Sequence, residues 1–238
     1  MINTNKTVVY YCDTFSNMFG ELLVEPFGTS AYNVMDVDTK SGVNKCPAFR
    51  SEIKNLFSLP SPKDIDITRE NGGFFSWRVM YGSHVDQSDL VHQRGDTCFC
   101  LQHQGLLFWC DEPMVMEYRH ASFTETELSN KADTYFGSYD ISQWIRPLDL
   151  CYKIKNDVKS LSIKRGDPLL FLKFHTEKTI VFKKFDATEE VRYLLYECAK
   201  TKQVDKTFFQ SMANYYHLFK MRNFNKRVSA AIKKAVRE

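Results

Sequence analysis

No stretch of this 238-residue sequence approaches the roughly 20 consecutive apolar residues that a helix needs to cross a bilayer. The opening residues, MINTNKTVVYYCDTF, lack the basic-then-apolar plan of a secretory leader, so a cytoplasmic setting is expected. Also missing are a phosphate-cradling glycine loop, a nucleophile-elbow serine and an HExxH zinc helix, which counts against the common nucleotide-dependent and hydrolytic chemistries. There is no Cys-x-x-Cys pair, internal repeat or low-complexity segment. The seven cysteines (12, 46, 98, 100, 110, 151 and 198) are odd in number and scattered, which favours reduced thiols acting as small hydrophobes over a disulfide framework.

Aromatic residues, by contrast, are abundant. Nineteen Phe and twelve Tyr suit sheets, where rings pack across pleated faces. Net charge is only +3 but unevenly spread: residues 220 to 238 carry seven Lys or Arg against one Glu, a net of +6, leaving −3 on the other 219. A weakly acidic body with a basic end speaks of partners rather than of fold.

Short β-branched and aromatic runs recur between turn signals. KTVVYYC, GELLVEPFG and the alternating DIDIT read as strands, Asn71-Gly72-Gly73 as a turn, and FFSWRVMYG as the next strand. TCFCLQ and LLFWCDEPMVMEYR follow, then a polar stretch at 119 to 134 that reads as a surface loop. YDISQWIRPLDLCYKI, LSIKRGDPLLFLKF and KTIVFKKF complete the series. This pattern predicts a mainly β fold, an antiparallel β-sandwich or jelly-roll (cupin-like) body over residues 1–185. Residues 186–238 are expected to form an appendage of two helices with a basic end. Asp186 with Glu189 offers a capping box for the first, whose Val191, Leu194, Leu195 and Cys198 repeat at helical spacing. The second starts near Asp205 and carries Phe208, Met212, Tyr215, Tyr216 and Phe219.

Three constellations could carry chemistry. His84 and Asp86 share a strand face, and with His175, 89 residues beyond Asp86, they match the two imidazoles and one carboxylate that hold Fe(II) facially in 2-oxoglutarate-dependent oxygenases. Lys183, Lys184 or Arg192 would then pair with the distal carboxylate of 2-oxoglutarate. Against that reading, GSHVDQSD also reads as a solvated turn, and strand alternation puts His175 on the face of Lys173, expected to be solvent. Cys98, Cys100, His103 and Cys110 are the one dense soft-ligand cluster, without zinc-knuckle spacing. Trp144 and Arg146 share a strand face and could form a stacked anion site, or Arg146 could simply meet Asp149 or Asp140. The basic end, including Arg222, Lys226, Arg227, Lys233, Lys234 and Arg237, could cover phosphates, dock on an acidic partner, or be a solvated helix face.

Taken together, CPAFRSEIKNLFSLPSPKDIDI, GSYDISQWIRPLDLCYKI and LSIKRGDPLLFLKF resemble an uncharacterised protein family of tailed marine phages and some bacteria. The resemblance spans about residues 46 to 185 and brings no catalytic residues with it. It implies action in an infected host's cytoplasm or in a virion. The sequence thus leads to a binding module for a macromolecular partner, protein or nucleic acid, reached through Trp144, Arg146 and the basic end. An Fe(II)/2-oxoglutarate oxygenase and a virion component are the alternatives.

Overall fold

The computed structural model describes residues 5–13, 29–38, 40, 42–71, 73–81, 84–86, 91–94, 97–204 and 211–236. Fourteen strands among them form three sheets. The first runs β14 (Thr179–Lys184), β1 (Lys6–Asp13), β7 (Cys98–Cys110), β11 (Pro147–Ile154) and β9 (Ala132–Thr134), with β6 (Val91–Arg94) also paired to β7. β7 is long enough to seat two neighbours on one side. Its residues 98–101 pair with β6 and its residues 106–110 with β1, while β11 pairs with it on the other side. The second sheet is β10 (Gly137–Asp140), β8 (Val115–Arg119), β13 (Pro168–Phe174) and β2 (Leu56–Pro60). The third is β12 (Ser160–Ile163), β3 (Asp64–Arg69), β4 (Phe75–Tyr81) and β5 (His84–Asp86). Every pairing is antiparallel except the parallel β1–β14 pair. The mainly β, antiparallel-rich expectation is met.

Alternation in the sequence sets the faces. On β11, Leu148, Leu150, Tyr152 and Ile154 are buried while Asp149 and Lys153 are exposed. The first two sheets meet through four interlocking phenylalanines. Phe174 of β13 makes edge contacts with Phe108 of β7 (5.8 Å), Phe182 of β14 (5.7 Å) and Phe57 of β2 (6.0 Å), and Phe57 meets Phe182 at 4.9 Å. Such edge-to-face pairs add about 0.5–1.5 kcal/mol each beyond the area they bury. The Tyr152 hydroxyl donates across the same gap to Leu169 O at 3.1 Å. Gln93 of β6 accepts from Phe75 N (2.9 Å) and donates to Gly73 O (3.0 Å), tying the first sheet to the third.

β13 is buried along its whole length. One face meets the main core, while Phe171 on the other packs with Ala31, Leu56 and Ala121. Lys173 shares that second face, and the expectation that it points into solvent is corrected: it is 8% exposed. Helix α1 (Pro47–Ile53) roofs it, and Nζ donates to Ser51 O, Glu52 O and Lys54 O at 2.8, 2.7 and 2.8 Å. The ammonium thereby satisfies the carbonyls that a helix leaves unpaired at its C-terminus. Desolvation lowers its pKa. Asn55 follows with φ 52°, a left-handed conformation that asparagine tolerates, and its amide holds Thr176 O and Lys178 O.

Other expectations also change. The stretch 119–134 is not loop throughout: Thr126 and Ser129 form a capping box for α2 (Glu127–Lys131), and β9 follows directly. Among the described residues three helices, not two, follow residue 186: α3 (Glu189–Val204), α4 (Met212–Met221) and α5 (Phe224–Ala235). Asn223, at φ 49° and ψ 27°, breaks α4 from α5. Thr188 rather than Asp186 caps α3, its Oγ1 accepting from Val191 N at 3.3 Å. Thr188 directly precedes the helix, whereas Asp186 stands two residues farther back, where Phe185 bridges Val236 and Asp186 N donates to Ala235 O. The reduced-thiol expectation fails at one pair, Cys100 and Cys151, which form a disulfide between β7 and β11.

Phe174→Ala should cost about 3–5 kcal/mol in urea unfolding, the range for a truncated core aromatic. Phe136→Ala, at a side chain 86% exposed, should stay within about 0.5 kcal/mol.

Candidate partner-binding face of the C-terminal helices

The basic end is part of the folded body. α5 is amphipathic: Phe224, Val228, Ala231, Ile232 and Ala235 are buried, and Lys226, Arg227, Lys233 and Lys234 are exposed. Its inner side is fixed by polar contacts as well. Trp109 Nε1 donates to Ser229 Oγ at 3.1 Å, and Lys233 Nζ lies 2.9 Å from Asp111 Oδ2. Burial would raise the Asp111 pKa, but hydrogen bonds from Ser229 and Lys233 and the attraction of Lys233 outweigh it, leaving the carboxyl below its usual value. Lys234 approaches Glu190 of α3 at 3.7 Å.

α4 is anchored by aromatic stacking. Tyr215 lies parallel to Trp144 at 5.6 Å, Tyr139 meets Trp144 edge-on at 5.7 Å, and the stack continues through Phe219 to Phe224 at 6.5 and 4.9 Å. Tyr216 Oη accepts from Asp140 N at 2.7 Å. Trp144 is therefore a docking residue for the helices, only 7% exposed, and not a surface platform. Arg146 does sit over its ring, at 5.1 Å, and its Nη2 is held by Asp149. Its Nε donates to Pro147 O at 3.2 Å, so the edge expected to receive an anion is already engaged within the chain, by one carbonyl and one carboxylate.

The outward side of α5 and of its junction with α4 is positive. Lys220, Arg222, Lys226 and Arg227 are exposed, and among the described residues no carboxylate lies in ion-pair range of them. The sequence holds no Asp or Glu between Asp205 and Glu238, so the helices themselves supply no neutralising charge. Four cations on short helices pinned to a core form a standing positive field rather than a solvated tail.

The oxygenase residues are placed apart in the topology. His84 and Asp86 form the ends of β5, at the margin of the third sheet, and their side chains lie outside the described residues. His175 follows β13 in the second sheet, and no strand pairing joins the two. Its Nε2 is 2.7 Å from Glu117 Oε2, which Arg119 also holds at 3.0 Å while pairing with Glu52 at 2.6 Å. The Glu117 carboxyl sits below its usual pKa, because these partners outweigh its desolvation. Lys183 and Lys184 are consecutive on β14 and so turn to opposite faces, and Arg192 Nε donates to Ala187 O at 2.9 Å. Among the described residues no three His, Cys, Asp or Glu side chains are grouped as a metal site. For the zinc cluster, Cys100 is bonded to Cys151, Cys110 lies at the far end of β7, and the His103 side chain is outside the described residues.

Comparison with protein-family models, curated proteins and solved structures finds no match to this chain. No described helix is long and apolar enough to cross a membrane.

A carboxylate with a depressed folded pKa adds stability above its unfolded pKa, and that stability is lost as pH falls through the folded value. Asp111→Asn should therefore destabilise the chain at neutral pH. The gap to the unchanged protein, read by urea unfolding, should close as pH drops below the reference value of 3.8.

Proposed function

We propose that the protein is a binding module that holds the phosphate backbone of a nucleic acid on the outward face of α4 and α5. The observation that carries this reading is the set of fixed, exposed cations at Lys220, Arg222, Lys226 and Arg227, without a carboxylate in range among the described residues. Clustered Lys and Arg bind polyanions by releasing condensed counterions, and helices anchored by buried aromatics hold the backbone under that charge in place before binding, so that the ordering cost is confined to the side chains. A jelly-roll, cupin-like closure of the first two sheets belongs to the same reading. The β body would then be the rigid support and the helices the working surface. The likeness of three stretches to the phage family supports a setting in an infected host's cytoplasm or in a virion, where nucleic acid is an abundant polyanion.

Fluorescence anisotropy with labelled single- and double-stranded oligonucleotides tests this. Binding should weaken linearly in log–log fashion with salt, and Lys226→Ala with Arg227→Ala should lower the slope by about two. Salt-insensitive binding, no binding at low salt, or an unchanged slope in the double variant would each reject it. Capture of an acidic protein in preference to either oligonucleotide would reject it too.

A further inference from the structure

Two aromatic rings stand in solvent on α3: Tyr193 is 55% exposed and Tyr196 is 62% exposed. Their place on the helix is set by its packing. Val191, Leu194 and Cys198 form the buried side. Tyr193, Tyr196 and Lys200, recurring at helical spacing, form a stripe on the opposite side. Lys200 Nζ lies 5.9 Å from the centre of the Tyr196 ring, so the stripe ends on a cation.

α3 lies beside α5. Glu190 approaches Lys234 at 3.7 Å, and Phe185, just before α3, bridges Val236, just after α5. Arg227 and Lys234 are two helical turns apart and so share the flank of α5 that turns toward α3. By helix rise, Arg227 is about 10 Å along α5 from the Glu190 contact, and Tyr193 and Tyr196 are about 5 and 9 Å along α3 from it. One short strand of nucleic acid can therefore meet both helices. α3 itself is a poor track for phosphate, because residues 189 to 200 hold three Glu against one Arg and one Lys. Its rings suit a flat, uncharged group, while the cations of α4 and α5 suit phosphate.

We propose that the nucleic acid held by this protein is single-stranded, with its phosphates on the cations of α4 and α5 and its bases stacked on Tyr193 and Tyr196. This rests on the phosphate-binding reading above and names the class of strand. A single strand carries both kinds of group, because its bases are free to lie on an aromatic face. A duplex keeps its base faces stacked inside and offers the tyrosines only sugar and phosphate.

Fluorescence anisotropy of the full chain with a labelled single-stranded oligonucleotide, and with the duplex of the same sequence, provides the test. The single strand should bind about tenfold or more tightly than the duplex. Tyr193→Ala with Tyr196→Ala should weaken single-strand binding by about tenfold or more and leave duplex binding within about twofold. The salt slope should not change, since the rings displace no counterions. Tyr193→Phe with Tyr196→Phe should bind like the unchanged chain, because stacking needs the ring and not the hydroxyl. Both positions are exposed, so the urea midpoints of the variants should stay in place. Equal binding of single strand and duplex, or undiminished single-strand affinity in the double-alanine variant, would overturn the strand class while leaving salt-dependent phosphate binding intact. A double-phenylalanine variant as weak as the double-alanine one would overturn stacking. Absence of salt-sensitive binding to either oligonucleotide would remove the phosphate-binding reading, and this inference with it.

Discussion

One continuous apolar cluster holds this molecule together, and the strands and helices are arranged so as to feed it. At one end Phe57, Phe108, Phe174 and Phe182 lock the first two sheets. At the other, Trp144, Tyr215, Phe219 and Phe224 carry the same cluster under α4 and α5. Because interiors pack near crystal density, neither end can shift without the other losing contacts. The helices are consequently not carried by the β body as a separate piece; they complete its core.

That constraint converts a basic sequence into a basic surface. Each turn of α5 spends its apolar residues inward, and what remains outward is almost entirely Lys and Arg. Asp111 and Glu190 each meet one lysine of its last turn, through Lys233 and Lys234, while the cations farther back are left unpaired among the described residues. The unpaired charge is therefore concentrated around the α4–α5 junction at Asn223 and falls off toward the last turn of α5.

Much of the β architecture was legible because alternation and turn chemistry are local. β3, β11 and β14 lie where DIDIT, PLDLCYKI and TIVFKK read as strands, and the Arg146–Asp149 pair was among the readings of its segment. What was hidden depends on partners distant in sequence. Lys173 looked solvent-bound because nothing in PLLFLKF announces that α1 covers it. The signal for α1 was Pro47 at its first turn, a position where proline starts helices, inside a stretch otherwise full of extended-backbone cues. Thr126 and Ser129 similarly marked α2, but a five-residue helix is too short for any periodicity to show. The disulfide needed the β7–β11 register, since residues 51 apart in sequence carry no hint of facing one another. Trp144 and Arg146 do meet, but not on the strand face expected of them: β11 begins only at Pro147, and the packing of α4 makes the ring a structural anchor.

Native-state hydrogen exchange tests most directly whether the helices and the sheets are one cooperative body. The slowest amides of α5, around Val228 and Ile232, should exchange with the same opening free energy as those of β13 and respond equally to added urea. Fast exchange across α5 through a local opening, with β13 still fully protected, would contradict the account and return the basic end to the status of an attached tail.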